Sequence, residues 1–346
     1  MMKQVITKLF CLIISLQTFG QWTSVQIPTN ASFRALKTSG NDIWVAGTQG
    51  TVGHSYDAGK NWEFSQVPQA EKLDFRDLII LNEQEVILMS AGPSEEGKAR
   101  LFKTSDGGNT WHLMLNLNEP GFFFDSILWD YKNQNGWLLG DPIKQNFTLF
   151  SFSEDKVIQI DPSKTPKLQK NEAFFAASGS SMIQIENRLH MIGGGSELVQ
   201  SYCYDIKKNF WITNPLNIQA GEAQGYFSIA TKNKQSLWAV GGDYRKLNES
   251  NIPILTSNNG GKNWSVLNNT PKFYMEKVIW AKPYWIVSGP SQSAAFHEKT
   301  KRWKSLGTSP YHNIIQVGDV IWGIGSKGQL GFISLSSIKQ LFLSEK

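Results

Sequence analysis

A chain of 346 residues with thirteen Trp, thirty Gly and 18% charged residues has too few charges for long solvated helices and fits many short strands around a sizeable core. Its formal net charge of +5, with no block of Lys or Arg, argues against nucleic acid as a partner. Two Cys and five scattered His give no zinc-ligand spacing, so neither a metal nor a cofactor is expected.

Residues 1–20 read as a signal peptide. Lys3 and Lys8 make a basic start, Leu9-Phe10-Cys11-Leu12-Ile13-Ile14-Ser15-Leu16 an apolar centre, and Thr18-Phe19-Gly20 places small residues before a cut at Gln21. The apolar run is too short to span a membrane stably. The expectation is an exported protein, periplasmic or extracellular, that is monomeric and not an integral membrane protein. Cleavage takes the formal +5 to +3 and leaves Cys203 as the sole thiol, so no intramolecular disulfide can form. Within the apolar run Ser201-Tyr202-Cys203-Tyr204 it reads as a buried structural thiol.

Residues 21–335 repeat one unit: strand, turn, strand ending in Gly, loop, strand, turn, strand. The first repeat opens at Phe33-Arg34-Ala35-Leu36 and closes at Trp62-Glu63-Phe64-Ser65-Gln66-Val67-Pro68; the second runs from Phe75-Arg76-Asp77-Leu78 to Trp111-His112-Leu113-Met114. The third opens at Phe124-Asp125-Ser126-Ile127 and carries a decayed turn at Phe152-Ser153-Glu154-Asp155-Lys156. The fourth opens at Ala173-Phe174-Phe175-Ala176-Ala177, the fifth at Tyr226-Phe227-Ser228-Ile229, the sixth at Lys277-Val278-Ile279-Trp280 and the seventh at Asn313-Ile314-Ile315-Gln316-Val317. The seventh lacks an outer strand, and Trp22-Thr23-Ser24-Val25-Gln26-Ile27-Pro28 matches residues 62–68 in register. Repeats of about forty residues predict an all-β, seven-bladed β-propeller of four-stranded antiparallel blades, its N-terminal strand completing the last blade. The tail, residues 336–346, is expected to form a short helix or an extra strand.

Three repeats share a turn of the pattern hydroxyl-x-Asp/Asn-x-Gly-x-Asn/Thr-Trp. Its residues are Ser55, Asp57, Gly59 and Trp62; Thr104, Asp106, Gly108 and Trp111; and Ser257, Asn259, Gly261 and Trp264. The Asp or Asn side chain ties down nearby backbone N–H groups, Gly takes the positive φ of the turn, and Trp begins the next strand with a large face to bury. These are read as structural turns.

The turns resemble the Asp box of sialidase-type (BNR) β-propellers. Phe33-Arg34-Ala35-Leu36, Trp44-Val45-Ala46-Gly47-Thr48, Phe75-Arg76-Asp77-Leu78, Gly140-Asp141-Pro142-Ile143, Glu172-Ala173-Phe174-Phe175-Ala176-Ala177-Ser178-Gly179 and Val240-Gly241-Gly242-Asp243 make residues 22–335 similar to the photosystem II stability/assembly-factor-like group of such propellers. The resemblance implies a non-catalytic assembly factor that binds a protein partner. A glycan-binding propeller or a sialidase-like glycoside hydrolase is the alternative. The sialidase pattern wants three arginines on a carboxylate, a Tyr–Glu pair and an acid/base Asp. Phe33-Arg34-Ala35-Leu36 loosely resembles its Phe-Arg-Ile-Pro, but of six Arg only Arg34 and Arg76 begin inner strands. Gly193-Gly194-Gly195-Ser196-Glu197 lacks the Gly-x-Gly-x-x-Gly spacing and strand–helix context of a dinucleotide site.

In a four-stranded blade the inner strand starts on the face where the second strand ends, and the Asp boxes point to the opposite face. The rim of the first face should therefore collect Arg34, Arg76, Asp125, Asp141, Glu172, Glu222 and Asp243, with Tyr226, Tyr244 and His312 nearby. Such a rim is where a propeller places a ligand site. The paired arginines suggest an anionic group as ligand, with Asp125 holding Arg76 in its absence.

Overall fold

The computed structural model describes residues 21–153, 156–308 and 310–344. The expected signal peptide and the acidic turn at Glu154-Asp155 lie outside the described residues. Among the described residues, seven four-stranded antiparallel sheets are arranged in a ring. Their inner strands are Phe33–Ser39, Asp74–Ile80, Phe124–Asp130, Met182–Ile185, Gln224–Thr231, Lys277–Ala281 and Asn313–Val317. Second strands, sandwiched between neighbouring blades, are apolar on both faces: Val86–Ala91 and Leu237–Asp243 are buried along their whole length. Outer strands alternate instead, as in Phe210–Gln219, because one face meets solvent.

The last blade closes as the sequence predicts. Thr23–Val25 pairs antiparallel with Leu330–Ser334, Thr23 opposite Phe332 and Val25 opposite Leu330. Trp22 anchors it by donating Nε1–H to Ser293 Oγ at 2.9 Å and packing on Tyr311 with ring centroids 4.4 Å apart. The first and last strands thus share a sheet, which leaves no open end to the ring. The tail forms a helix, Leu335–Leu343, capped by Ser334 Oγ accepting the Ser337 N–H at 3.0 Å. Its buried Ile338 and its Phe342, stacked on Tyr284, hold it against the sixth and seventh blades.

The three repeated turns share one geometry. Ser55 Oγ accepts the Gly59 N–H at 2.8 Å while Asp57 Oδ1 accepts the Asn61 N–H at 2.9 Å. Thr104 and Asp106 do the same for Gly108 and Thr110, and Ser257 and Asn259 for Gly261 and Asn263, all at 2.9 Å. Gly59 has φ +91°, and a Cβ there would stand 2.1 Å from Trp322 of the preceding blade. The glycine makes room for a neighbour's ring as well as for the turn. Trp44 sits against Gly108 and His190 against Gly261 in the same way. Cys203 is buried, as expected.

One inner strand differs from the reading of the sequence. Ala173–Ala177 does not form the inner strand of the fourth blade; Met182–Ile185 does. Residues 174–181 instead cross the central channel. Arg76 Nη1 donates to Ala176 O at 2.9 Å, Ser178 Oγ to Glu276 O at 2.6 Å, and Asn313 Nδ2 to Ser178 O at 3.1 Å, so blades two, six and seven all grip the segment. Its small residues allow the crossing. Gly179 has φ +58°, and a Cβ there would lie 2.1 Å from the Asp77 carboxyl carbon.

Deleting residues 21–29 removes the outer strand and Trp22 together. The melting temperature of the truncated protein is expected to fall by at least about 5 °C, with aggregation through the exposed edge of the seventh blade. A scanning calorimetry trace superimposable on that of the longer protein would contradict this closure.

Candidate functional site

Four inner strands begin with the same distortion. The ladder slips by one residue after Phe33, Phe75, Phe124 and Tyr226, so Arg34, Arg76, Asp125 and Phe227 sit in bulges. A bulged residue is released from the pairing of the strand and re-aims its side chain. Here all four line one cavity of about 710 Å³ at the inner-strand rim. Asp141, Phe175, Glu222, Tyr244, Glu276 and His312 complete its principal polar and aromatic wall, and Ala176 and Ala177 of the crossing segment also line it.

Five of the seven rim residues named from sequence therefore meet here: Arg34, Arg76, Asp125, Asp141 and Glu222. Glu172 and Asp243 are placed elsewhere. Glu172 is buried behind the wall, accepting the Tyr202 O–H and the Gln169 N–H, both at 2.8 Å. Asp243 folds back to accept the Arg245 N–H at 2.9 Å and the Gln224 amide at 3.2 Å. Tyr226 is fully buried and donates to Pro253 O, so the next residue, Phe227, faces the cavity. Sequence reasoning missed Glu276, Tyr274 and Phe227. The aromatic-then-variable pair near the start of four inner strands was the available signal for Phe227, whereas the ion pairs of Glu276, with Arg34 and His312, are made to residues far away in sequence.

The two arginines are already engaged. Arg34 Nη1 lies 2.9 Å from Glu276 Oε2, and the same oxygen is 2.6 Å from His312 Nδ1. Burial acts to raise the Glu276 carboxyl, but Arg34 and His312 outweigh it and hold the group at about 2. Arg76 does not pair with Asp125 as expected. Its Nε lies 2.6 Å from Asp74 Oδ2, and Nη1 is drawn to the crossing segment.

Asp125 is left fully buried with neither carboxyl oxygen hydrogen-bonded. Burial, then the neighbouring Asp141, pushes it well above the usual carboxylate range, with Arg76 opposing. Asp141 accepts the Phe174 N–H at 3.1 Å on one oxygen, and burial pushes it up to about 7. At the other end of the channel a cavity of about 460 Å³ is lined by Lys37, Lys277 and Trp280 among others. There Lys37 pairs with buried Asp77 at 2.8 Å, and burial, then the charge of Lys37, lowers Lys277 to about 7. Among the described residues, no group of three or more His, Cys, Asp or Glu could hold a metal ion, and no helix is long and apolar enough to cross a membrane.

The acid pair makes a signed prediction. Between the ordinary value of 3.8 and about 7, folded Asp141 holds a proton that the unfolded chain has lost, so this group's contribution to stability falls as pH rises. Asp141→Asn keeps the acceptor for Phe174 but cannot ionise. It is expected to be more stable than the unmodified protein at pH 8, by on the order of 2 kcal/mol, and nearly equal to it at pH 4. Urea titrations at the two pH values check this, and an equal difference at both would refute it.

No family model matches the chain. The photosystem II assembly protein Ycf48 of Synechococcus sp. (strain JA-2-3B'a(2-13)) is 23% identical over 297 residues, covering 73% of this chain and 82% of that protein. Two of the solved structures that share the fold are YCF48 structures. YCF48 from Cyanidioschyzon merolae has a TM-score of 0.66 at 11% identity, over 91% of this chain and 99% of that one. YCF48 bound to D1 peptide has a TM-score of 0.64 at 15% identity, over 92% and 98%. In sequence and in fold, the chain is similar to the photosystem II assembly-factor-like group of seven-bladed propellers.

Proposed function

We propose that this chain is an exported, non-catalytic propeller that binds a protein partner at its inner-strand rim, in the manner of an assembly factor. The observation that carries the reading is the rim cavity itself. It is lined by aromatic rings and a few polar side chains set on rigid strands, with the crossing segment among its walls. That is a recess for one or two side chains of a protein surface. A propeller of the same fold, YCF48, is known bound to D1 peptide, and the similar Ycf48 is an assembly protein. Export rests on the residue pattern of 1–20, with the mature chain beginning at Gln21. The sialidase-like alternative is weakened because the cavity is lined by two arginines, each already paired with a carboxylate. The repeated Asp-box-like turns act as structure on the opposite face.

The test uses residues 21–346 as bait in the envelope fraction of the source cell. Tyr244, which is 43% exposed beside Phe227 in the cavity, is the site of choice because its removal leaves the ring intact. Tyr244→Ala is expected to weaken capture of the partner at least tenfold, about 1.4 kcal/mol, without a change in melting temperature. Asp57→Ala/Asp106→Ala is expected to lower the melting temperature and leave capture unchanged. Normal capture by Tyr244→Ala together with loss in the folded turn variant would assign the working face to the other side.

A further inference from the structure

The sequence, with two arginines at matching bulges, suggests a site for an anion. The charges in place argue the reverse. Arg34 is held by Glu276 and Arg76 by Asp74, so each guanidinium has its own carboxylate. Glu222 at the margin is paired with Arg245 at 3.0 Å. The acids left over are Asp125, whose two oxygens accept no hydrogen bond, and Asp141, which accepts one on a single oxygen. Both belong to the third blade, in the strands Phe124–Asp130 and Asn135–Ile143 that pair with each other, and both line the cavity. A buried carboxyl without donors is costly unless it is protonated or meets a cation. Aromatic rings stand in the same cavity. Phe175 and Phe227 are stacked at 4.0 Å, with Tyr244 edge-on to both at 6.4 Å. Carboxyls that lack a counter-charge, together with ring faces, are the components that hold an ammonium or guanidinium group.

We propose that the cavity receives a basic side chain, lysine or arginine, of the partner protein, its charge against Asp141 and Asp125 and its stem along Phe175, Phe227 and Tyr244. The inference rests on the reading of this cavity as the partner-binding site and specifies its chemistry. Asp141 is half-buried and offers its second oxygen directly, while Asp125, fully buried in the same lining, adds to the pull on the cation as it gives up its proton. The incoming cation takes over the role of the proton that burial favours on the pair, so binding releases protons and tightens as pH rises from 6 to 8. The other titratable groups lining the cavity are Arg34, Arg76, Glu222, Tyr244, Tyr274, Glu276 and His312, and Asp74 stands behind Arg76.

Calorimetric titration of residues 21–346 with blocked tripeptides tests this. The probes are acetyl-Gly-X-Gly-amide with X as lysine, arginine, norleucine or glutamate. At pH 8 the lysine or the arginine peptide is expected to bind at least tenfold more tightly than norleucine, and the better of the two identifies the side chain. Its affinity should fall at pH 6, and Asp141→Asn should abolish both the preference and its pH dependence. Asp125→Asn, if folded, should lower the affinity severalfold. Equal binding of norleucine, tighter binding of glutamate, no binding of either basic peptide at millimolar concentration, or an unaltered Asp141→Asn variant would each overturn the inference. Partner capture that depends on Tyr244 but shows no basic-peptide preference would remove this inference alone. Capture indifferent to Tyr244 would remove the reading beneath it.

Discussion

The segment that crosses the channel is the constraint on which the rest of the site depends. A ring of seven blades leaves a hole on its axis, and residues 176–181 fill it with small side chains and backbone carbonyls. Those carbonyls need donors, and the inner strands supply them through Arg76, Asn313 and, at 3.5 Å, Arg34. The arginines are thereby committed to holding the floor, and Glu276 and Asp74 are committed to holding the arginines. That Asp125 and Asp141 are left without an ion-pair partner follows from this chain of commitments. The crossing also separates the two mouths of the channel, one with its surplus in carboxyls and the other with Lys37 and Lys277.

The ring itself is held from the opposite face and from between the blades. Each repeated turn ends in a glycine seated on an aromatic ring of the blade before it: Trp322 on Gly59, Trp44 on Gly108, His190 on Gly261. Turn and inter-blade packing are therefore one feature. A side chain at that glycine would strain the turn and displace the neighbour's ring at once. Asp57 and Asp106 are held near 2 by hydrogen bonds, first from Asn61 and Thr110, so the turns remain ionised and formed well below neutral pH. The acids of the turns lie below the ordinary carboxylate value, as does Glu276 with its two cationic neighbours, whereas Asp125 and Asp141 lie above it, because Asp125 has no donor in place and Asp141 only one.

Much of the fold was legible because its signals are local. Turn residues, glycine at the ends of second strands and the match of residues 22–28 to 62–68 need no knowledge of distant contacts. The topology also separated the two faces, which located Arg34, Arg76, Asp125 and Asp141 together. Ala173–Ala177 misled because aromatic residues next to a repeat boundary look like a strand, whereas its path is fixed by donors from distant blades. Position at a strand end says which face a residue is on but not whether it points inward. Glu172 and Asp243 turned to partners of their own, and Tyr226 yielded its place to Phe227 by the one-residue slip of a bulge.

That slip explains how one scaffold can carry different sites. A bulged residue stands outside the ladder, so its identity is free of the demands of strand pairing. At the same structural place this chain carries Arg in two blades, Asp in the third and Phe in the fifth. The aromatic residue just before each bulge, Phe33, Phe75, Phe124 or Tyr226, is fully buried and belongs to the core. Core and site are thus interleaved one residue apart along the same strand. The buried residue keeps the blade in the ring and its neighbour sets the chemistry of the cavity wall, so the fold fixes where these positions stand and leaves their identity free.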